Sequence, residues 1–231
     1  MASGVDSREK KTADMVYTTE KFFADIDAKN YINGFRRTDY LIELCQQCKN
    51  YSHRYGCPPF DDKTLSIVEG YEKVRIMGLK IVPNNKLLPL SAANDLMKPV
   101  ITEMNEELLE LEKSLGGYAF GFVGTCPYCG DAPCARISGE PCRHLDKVRP
   151  SLEAFGFDMS KTAKDLLGLE IKWSQGELIP EYLTLVCSLQ GCHPALPRLP
   201  SSGLGNTAFP KSAAEVITMY YWIMLSMFKR V

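Results

Sequence analysis

Residues 79–123 read LKIVPNNKLLPLSAANDLMKPVITEMNEELLELEKSLGGYAFGFV. Leu79-Lys80-Ile81-Val82 has the apolar, β-branched texture of a short strand, and Pro83-Asn84-Asn85 ends it. A helix follows from about Ala92 to Leu115. Its apolar stripe is Met97, Val100, Ile101, Met104, Leu108, Leu111 and Leu115, with Glu103, Glu106, Glu107 and Glu110 on other faces. The spacing places the stretch around Glu103–Glu112 in solvent. Pro99 lies inside the span and offers an alternative start at Lys98–Pro99, where proline is tolerated. Gly116-Gly117 stops the helix. Tyr118–Val123 then reads as a second strand.

Working outward, KFFADIDAKNYING (residues 21–34) carries Phe22, Phe23, Ile26 and Tyr31 at roughly helical spacing and ends at Asn33-Gly34. Leu41, Ile42 and Leu44 are expected to anchor an element against the core, and the polar run after Cys45 is a loop. DDKTLSIVEGYEKVRIMG (residues 61–78) reads as a helix capped by Asp61 or Asp62. Downstream, Pro150–Ala154 starts a short helix, Asp158 caps another through Leu167 with Gly168 closing it, and Ile179–Val186 is a strand. This order predicts an α+β (or α/β) fold, with a small sheet, packed helices and two cysteine-rich loops. The expected organisation is a disordered lead over 1–15, a metal-binding domain over 16–187, and a Pro/Gly-rich linker with an apolar C-terminal helix over 188–231.

The 231 residues are 45% hydrophobic and 24% charged, with net charge −1, so no overall field draws the chain to nucleic acid. The opening MASGVDSREKKTAD has no apolar core of an export signal, which predicts a cytoplasmic, reducing compartment. Near the other end, AAEVITMYYWIMLSMF (residues 213–228) is apolar over sixteen residues and includes Glu215. A membrane span needs roughly 20. A helix packed on the domain or on a partner is preferred over membrane contact.

The chain has nine cysteines. Cys126, Cys129, Cys134 and Cys142 are spaced C-x2-C-x4-C-x7-C, and Cys45, Cys48 and Cys57 are spaced C-x2-C-x8-C ahead of Pro58-Pro59. Polar, Gly/Pro-rich loops lie at the surface and rarely bury a thiol for packing, so these seven read as metal ligands. C-x2-C lets one turn of backbone aim two sulfurs at one ion. Proline directly after Cys57 and Cys126, and gaps that do not repeat C-x2-C, favour 4Fe–4S clusters over zinc. The first set is one ligand short. His53, Cys192 or His193 are candidates to complete it, or the position stays open for a small ligand. His144 reads as an outer-sphere donor or a surface residue. Arg136, Arg143 and Arg149 would offset the charge of a thiolate-bound cluster. Cys187 reads as a small apolar core residue. No P-loop, G-x-G-x-x-G, H-E-x-x-H or G-x-S-x-G occurs.

Two signatures carry a resemblance. The first is Cys45, Cys48, Tyr51 and Tyr55-Gly56-Cys57-Pro58-Pro59, followed by Gly70-Tyr71-Glu72-Lys73. The second is Gly124, Cys126, Cys129, Pro141-Cys142-Arg143, Arg149-Pro150-Ser151-Leu152-Glu153-Ala154 and Gly156-Phe157-Asp158. Together they resemble an uncharacterised bacterial and archaeal family of predicted metal-binding proteins, over about Asp39–Val186. The resemblance implies metal binding through the same seven cysteines, by iron–sulfur, with no established reaction. Leu145 departs from the proline expected there, and the tail beyond Ser188 lies outside the pattern.

The sequence therefore predicts an iron–sulfur protein with one or two 4Fe–4S clusters, serving electron transfer or small-ligand chemistry alongside a redox partner protein. Any enzymatic activity would be redox or cofactor maturation. A zinc-stabilised interaction module is the alternative, and a redox-sensing thiol protein without stable metal is a third reading.

Overall fold

A computed structural model of the chain describes residues 6–12, 15–122, 126–130, 132–174 and 176–191. Its centre is a five-stranded sheet ordered β1-β2-β3-β5-β4, with every neighbouring pair antiparallel. The strands are β1 (Asp6–Thr12), β2 (Met15–Asp27), β3 (Lys73–Pro83), β4 (Tyr118–Phe120) and β5 (Leu183–Gly191). The helices are α1 (Ala28–Phe35), α2 (Thr38–Gln46), α3 (Asp62–Leu65), α4 (Ala93–Leu115) and α5 (Met159–Leu167). The fold is α+β, as the order of elements implies.

Both faces of the sheet are covered. On one, α4 buries Leu96, Val100, Met104 and Leu108 against Tyr17, Met77, Leu79, Ile81, Leu185 and Leu189. Cys187 sits fully buried in this layer as a packing residue. On the other face, α1, α5 and the turn around Glu153–Phe155 cover Ala24, Val74 and Ile76 with Tyr31, Phe155, Phe157, Ala163 and Leu167. Tyr31 stacks on Phe157 at 4.7 Å and shares a 3.1 Å hydrogen bond with Thr162. Gly78 lets α5 approach the sheet, since a Cβ there would stand 2.5 Å from Leu167 Cδ1.

Two-sided burial explains where the sequence reading misassigns elements. Residues 21–27 are strand, not helix, and only Ala28–Phe35 is helical. Phe22, Ala24 and Ile26 face one layer while Tyr17 and Phe23 face the other, so adjacent aromatics mimic helical spacing. The expected helix over 61–78 ends after α3 and a 3-10 turn, Ser66–Glu69. Lys73–Gly78 belongs to β3, whose near-continuous apolar run reflects burial on both faces. Asp61 does cap α3, accepting from the Thr64 amide at 2.7 Å.

Other expectations shift at the edges. Residues 6–12, inside the stretch read as a disordered lead, pair with β2 as β1. The α4 helix starts at Ala93 and carries Pro99 within it, so the alternative start at Lys98–Pro99 does not occur. Ser188–Gly191, read as the start of the tail, complete β5. Leu41 and Ile42 are half-buried and Leu44 is 46% exposed, so α2 is not anchored in the core as expected. The acidic face of α4 is not simply solvated: Glu107 pairs with Lys21 at 2.7 Å and Glu112 with Arg149. Asp158 caps α5 and Gly168 closes it, as read from the sequence. The linker, the apolar segment 213–228, Cys192 and His193 lie outside the described residues. Among the described residues no helix is long and apolar enough to cross a membrane.

Candidate metal centre

Cys45 sits in the last turn of α2. The chain then turns tightly, with Cys48 N–H donating to Cys45 O at 3.0 Å, Tyr51 N–H to Cys48 O at 3.0 Å, and Cys57 N–H to Arg54 O at 3.1 Å. Ser52 adopts a left-handed φ of 58° and donates through its amide to Pro58 O at 2.8 Å, closing the loop on itself. Cys45 and Cys57 are half-buried and Cys48 is exposed.

The second set follows β4. Cys126, Cys129, Cys134 and Cys142 are all half-buried. The Ala132 amide donates to Cys129 O at 3.1 Å, and Gly130, with φ 57°, makes the turn possible. The His144 amide reaches Cys142 Sγ at 3.4 Å. Arg143 Nη1 lies 3.9 Å from Cys129 Sγ and donates to Pro133 O at 3.0 Å. All eight described cysteines are free thiols.

Burial and neighbouring thiols raise Cys57, Cys45 and Cys126. Burial first, then the neighbouring Cys48 and Cys45, push Cys57 up to about 11, with Arg136 and Arg54 partly offsetting the effect. Cys45 is raised by burial, then by Cys48 and Glu153. Cys126 is raised by burial, relieved in part by the Tyr128 amide, and raised again by Cys129, Cys142 and Cys134. Cys57 thus feels both other thiols of the first loop, and Cys126 the other three of the second.

The two loops are joined. Arg136, in the 3-10 turn after Cys134, donates to Arg54 O at 2.7 Å, to Cys57 O, and to Pro59 O at 2.7 Å. Tyr55 Oη donates back to Glu140 O. Arg136 therefore clamps the first loop, a role beyond the charge compensation expected from sequence. Arg149 is held by Glu112, with Nε donating to Oε2 at 2.7 Å, so its charge is already matched within the protein. His53 is exposed, and its Nδ1 lies 2.6 Å from Tyr51 O. The His144 ring lies 6.1 Å from that of Tyr128.

A pocket of about 170 Å³ opens between the two sets. Its walls include Cys45, Cys48 and Cys57 from one side, and Cys126 and Tyr128 from the other, with Glu153 between. His53 is not among its lining residues. Two oxygens of the lining, Tyr128 Oη and Glu153 Oε2, are buried with no hydrogen-bond partner. Burial pushes Glu153 from the ordinary 4.5 up to about 7, against opposing hydrogen bonds from its own amide and Ser151. No ligand spacing marks Glu153 in the sequence, although a lone acid within the apolar run Leu152–Phe157 signals a buried charge.

Among the described residues no three Cys, His, Asp or Glu side chains already stand round one point closely enough to hold a metal ion. The donor chemistry nevertheless suits one. The seven thiols lie in two loops stiffened by backbone hydrogen bonds, four of them, Cys45, Cys48, Cys57 and Cys126, line one pocket, and a buried carboxylate oxygen of the same lining lacks a partner. No curated protein and no solved structure matches the chain. A family model described as "predicted metal-binding protein (DUF2284)" matches residues 36–187, which hold both cysteine sets, and the chain belongs to that family.

Proposed function

We propose that this metal-binding protein is an iron–sulfur protein. In this reading Cys126, Cys129, Cys134 and Cys142 hold one 4Fe–4S cluster, and Cys45, Cys48 and Cys57 hold a second with three thiolates. The observation that carries the reading is the meeting of the two cysteine loops at one pocket, lined by Cys45, Cys48 and Cys57 of the set of three and by Cys126 of the set of four. Four thiolates saturate a cluster and suit it to electron transfer; three leave one iron to a donor other than cysteine. The chain's own residues would hold the sulfurs, match their charge through Arg136 and Arg143, and limit water in the pocket. A redox protein in the same compartment, expected to be the cytoplasm, would supply or accept electrons.

The test is anaerobic purification of the full chain. Iron, zinc and acid-labile sulfide are assayed, and visible and EPR spectra are recorded before and after dithionite. Iron and sulfide in matching amounts, with a dithionite-dependent EPR signal, support the reading. Colourless protein with stoichiometric zinc and no sulfide replaces it with a zinc-stabilised module.

A further inference from the structure

Resting on the reading of Cys45, Cys48 and Cys57 as a metal centre, we propose that Glu153 is its fourth protein ligand. Position comes first. Glu153 opens the 3-10 turn Glu153–Phe155, which is docked against the segment entering α2. The Arg37 amide donates to Gly156 O at 2.6 Å, Arg36 Nε to Phe155 O at 3.0 Å, and the Asp158 amide to Phe35 O at 2.9 Å. Gly156, with φ 82°, packs so tightly on Thr38 that a Cβ would stand 2.6 Å from its Cα. The first loop meets the same stretch of chain from its other end: the Cβ position of Gly56, next to Cys57, lies 3.6 Å from Arg149 O. The backbone carrying Glu153 is thus fixed against both ends of the three-cysteine segment.

The chemistry of the site follows from that placement. Oε2 is sealed from solvent, accepts no hydrogen bond, and belongs to a residue lining the pocket that Cys45, Cys48 and Cys57 also line. A buried carboxylate oxygen without a partner is destabilising, and a cation at the mouth of the three thiols would offset that cost. The other candidates are placed less well. His53 points to Tyr51 O on the exposed side of the loop, and Cys126 interacts with its own set of four. A carboxylate is an accepted partner of thiolates round a tetrahedral metal, and a harder donor than the cysteine it would replace. The sulfurs and Oε2 have to close in when metal enters, since they do not yet converge.

The experiment uses cobalt(II) as the probe, added anaerobically to the metal-free full chain and to Glu153→Gln, Glu153→Ala and Cys57→Ser. Far-UV circular dichroism establishes that each variant is folded. The proposal expects Glu153→Gln to keep the thiolate-to-cobalt charge-transfer band of the first set. Its ligand-field bands should shift, and binding should weaken by more than the about 10- to 100-fold typical of losing an outer-sphere partner. Added acetate should restore the native bands in Glu153→Ala, which a merely structural role would not allow. Unchanged ligand-field bands, or no response to acetate, overturns the assignment of Glu153 while leaving the cysteine centre standing. If Cys57→Ser leaves the cobalt spectrum unaltered, the first set is no metal centre, and both readings fall.

Discussion

The four-cysteine and three-cysteine sets meet at one pocket, lined by all three thiols of one and by Cys126 alone of the other, yet they are built differently. The second set is tied mainly to itself, through the Cys129 turn, the Arg143 contacts and the amide that reaches Cys142 Sγ. The first is held from outside, by Arg136 at three carbonyls and by the backbone carrying Glu153. On the proposed reading, a set with its full count of thiolates needs little help from its neighbours. A set with a missing ligand lies where other parts of the fold determine what fills the gap.

The strongest way to break this comparison is to remove one sulfur from each set. Cys129→Ser is expected to abolish one metal signal and leave the other, and Cys57→Ser to do the reverse, as read by metal content and EPR. If either variant empties both centres, the two loops share one site.

A control that ignores the distinction comes next. Leu108→Ala in α4 should cost about 2–5 kcal/mol of stability in urea unfolding, with the metal-to-protein ratio unchanged. Selective loss of one centre would mean that α4 supports the sets unequally.

Arg136→Ala sharpens the asymmetry. Hydrogen bonds from a charged donor are worth about 1.5–3 kcal/mol each, so the low end of that range for the two part-buried bonds, to Arg54 O and Cys57 O, gives an expected loss of about 3 kcal/mol. Metal affinity should fall mainly at Cys45, Cys48 and Cys57. Equal weakening at both sets would show that the clamp is not one-sided.

The smallest expected effect is a pH slope. Glu153 is raised from 4.5 to about 7 in the folded chain, so the folded state holds its proton more tightly than the unfolded one. Stability of the metal-free protein from this group is fully present below about pH 4.5 and declines as pH rises to about 7. Glu153→Gln should flatten that part of the profile in thermal unfolding. An unchanged slope assigns it to other groups.

The sequence shows α4, the Asp61 and Asp158 caps and the glycine stops because each is a local signal. The cysteine spacing is legible for the same reason, and the family match covers it. The central strands are hidden because a strand buried on both faces loses its alternation, and Phe22-Phe23 then imitates a helix stripe. Glu153 and the Arg136 clamp are hidden for another reason. Their meaning lies in contacts 79 residues away for Arg136 to Cys57 O, and in a buried oxygen that no motif marks.

That span of 79 residues also has a consequence in time. On a growing chain, Cys45, Cys48 and Cys57 emerge well before Arg136 and Glu153 are made. Until then their loop lacks the guanidinium that grips its carbonyls and the carboxylate beside its pocket. Biosynthesis therefore sets an order, in which the first thiols to appear are the last to be given their final surroundings.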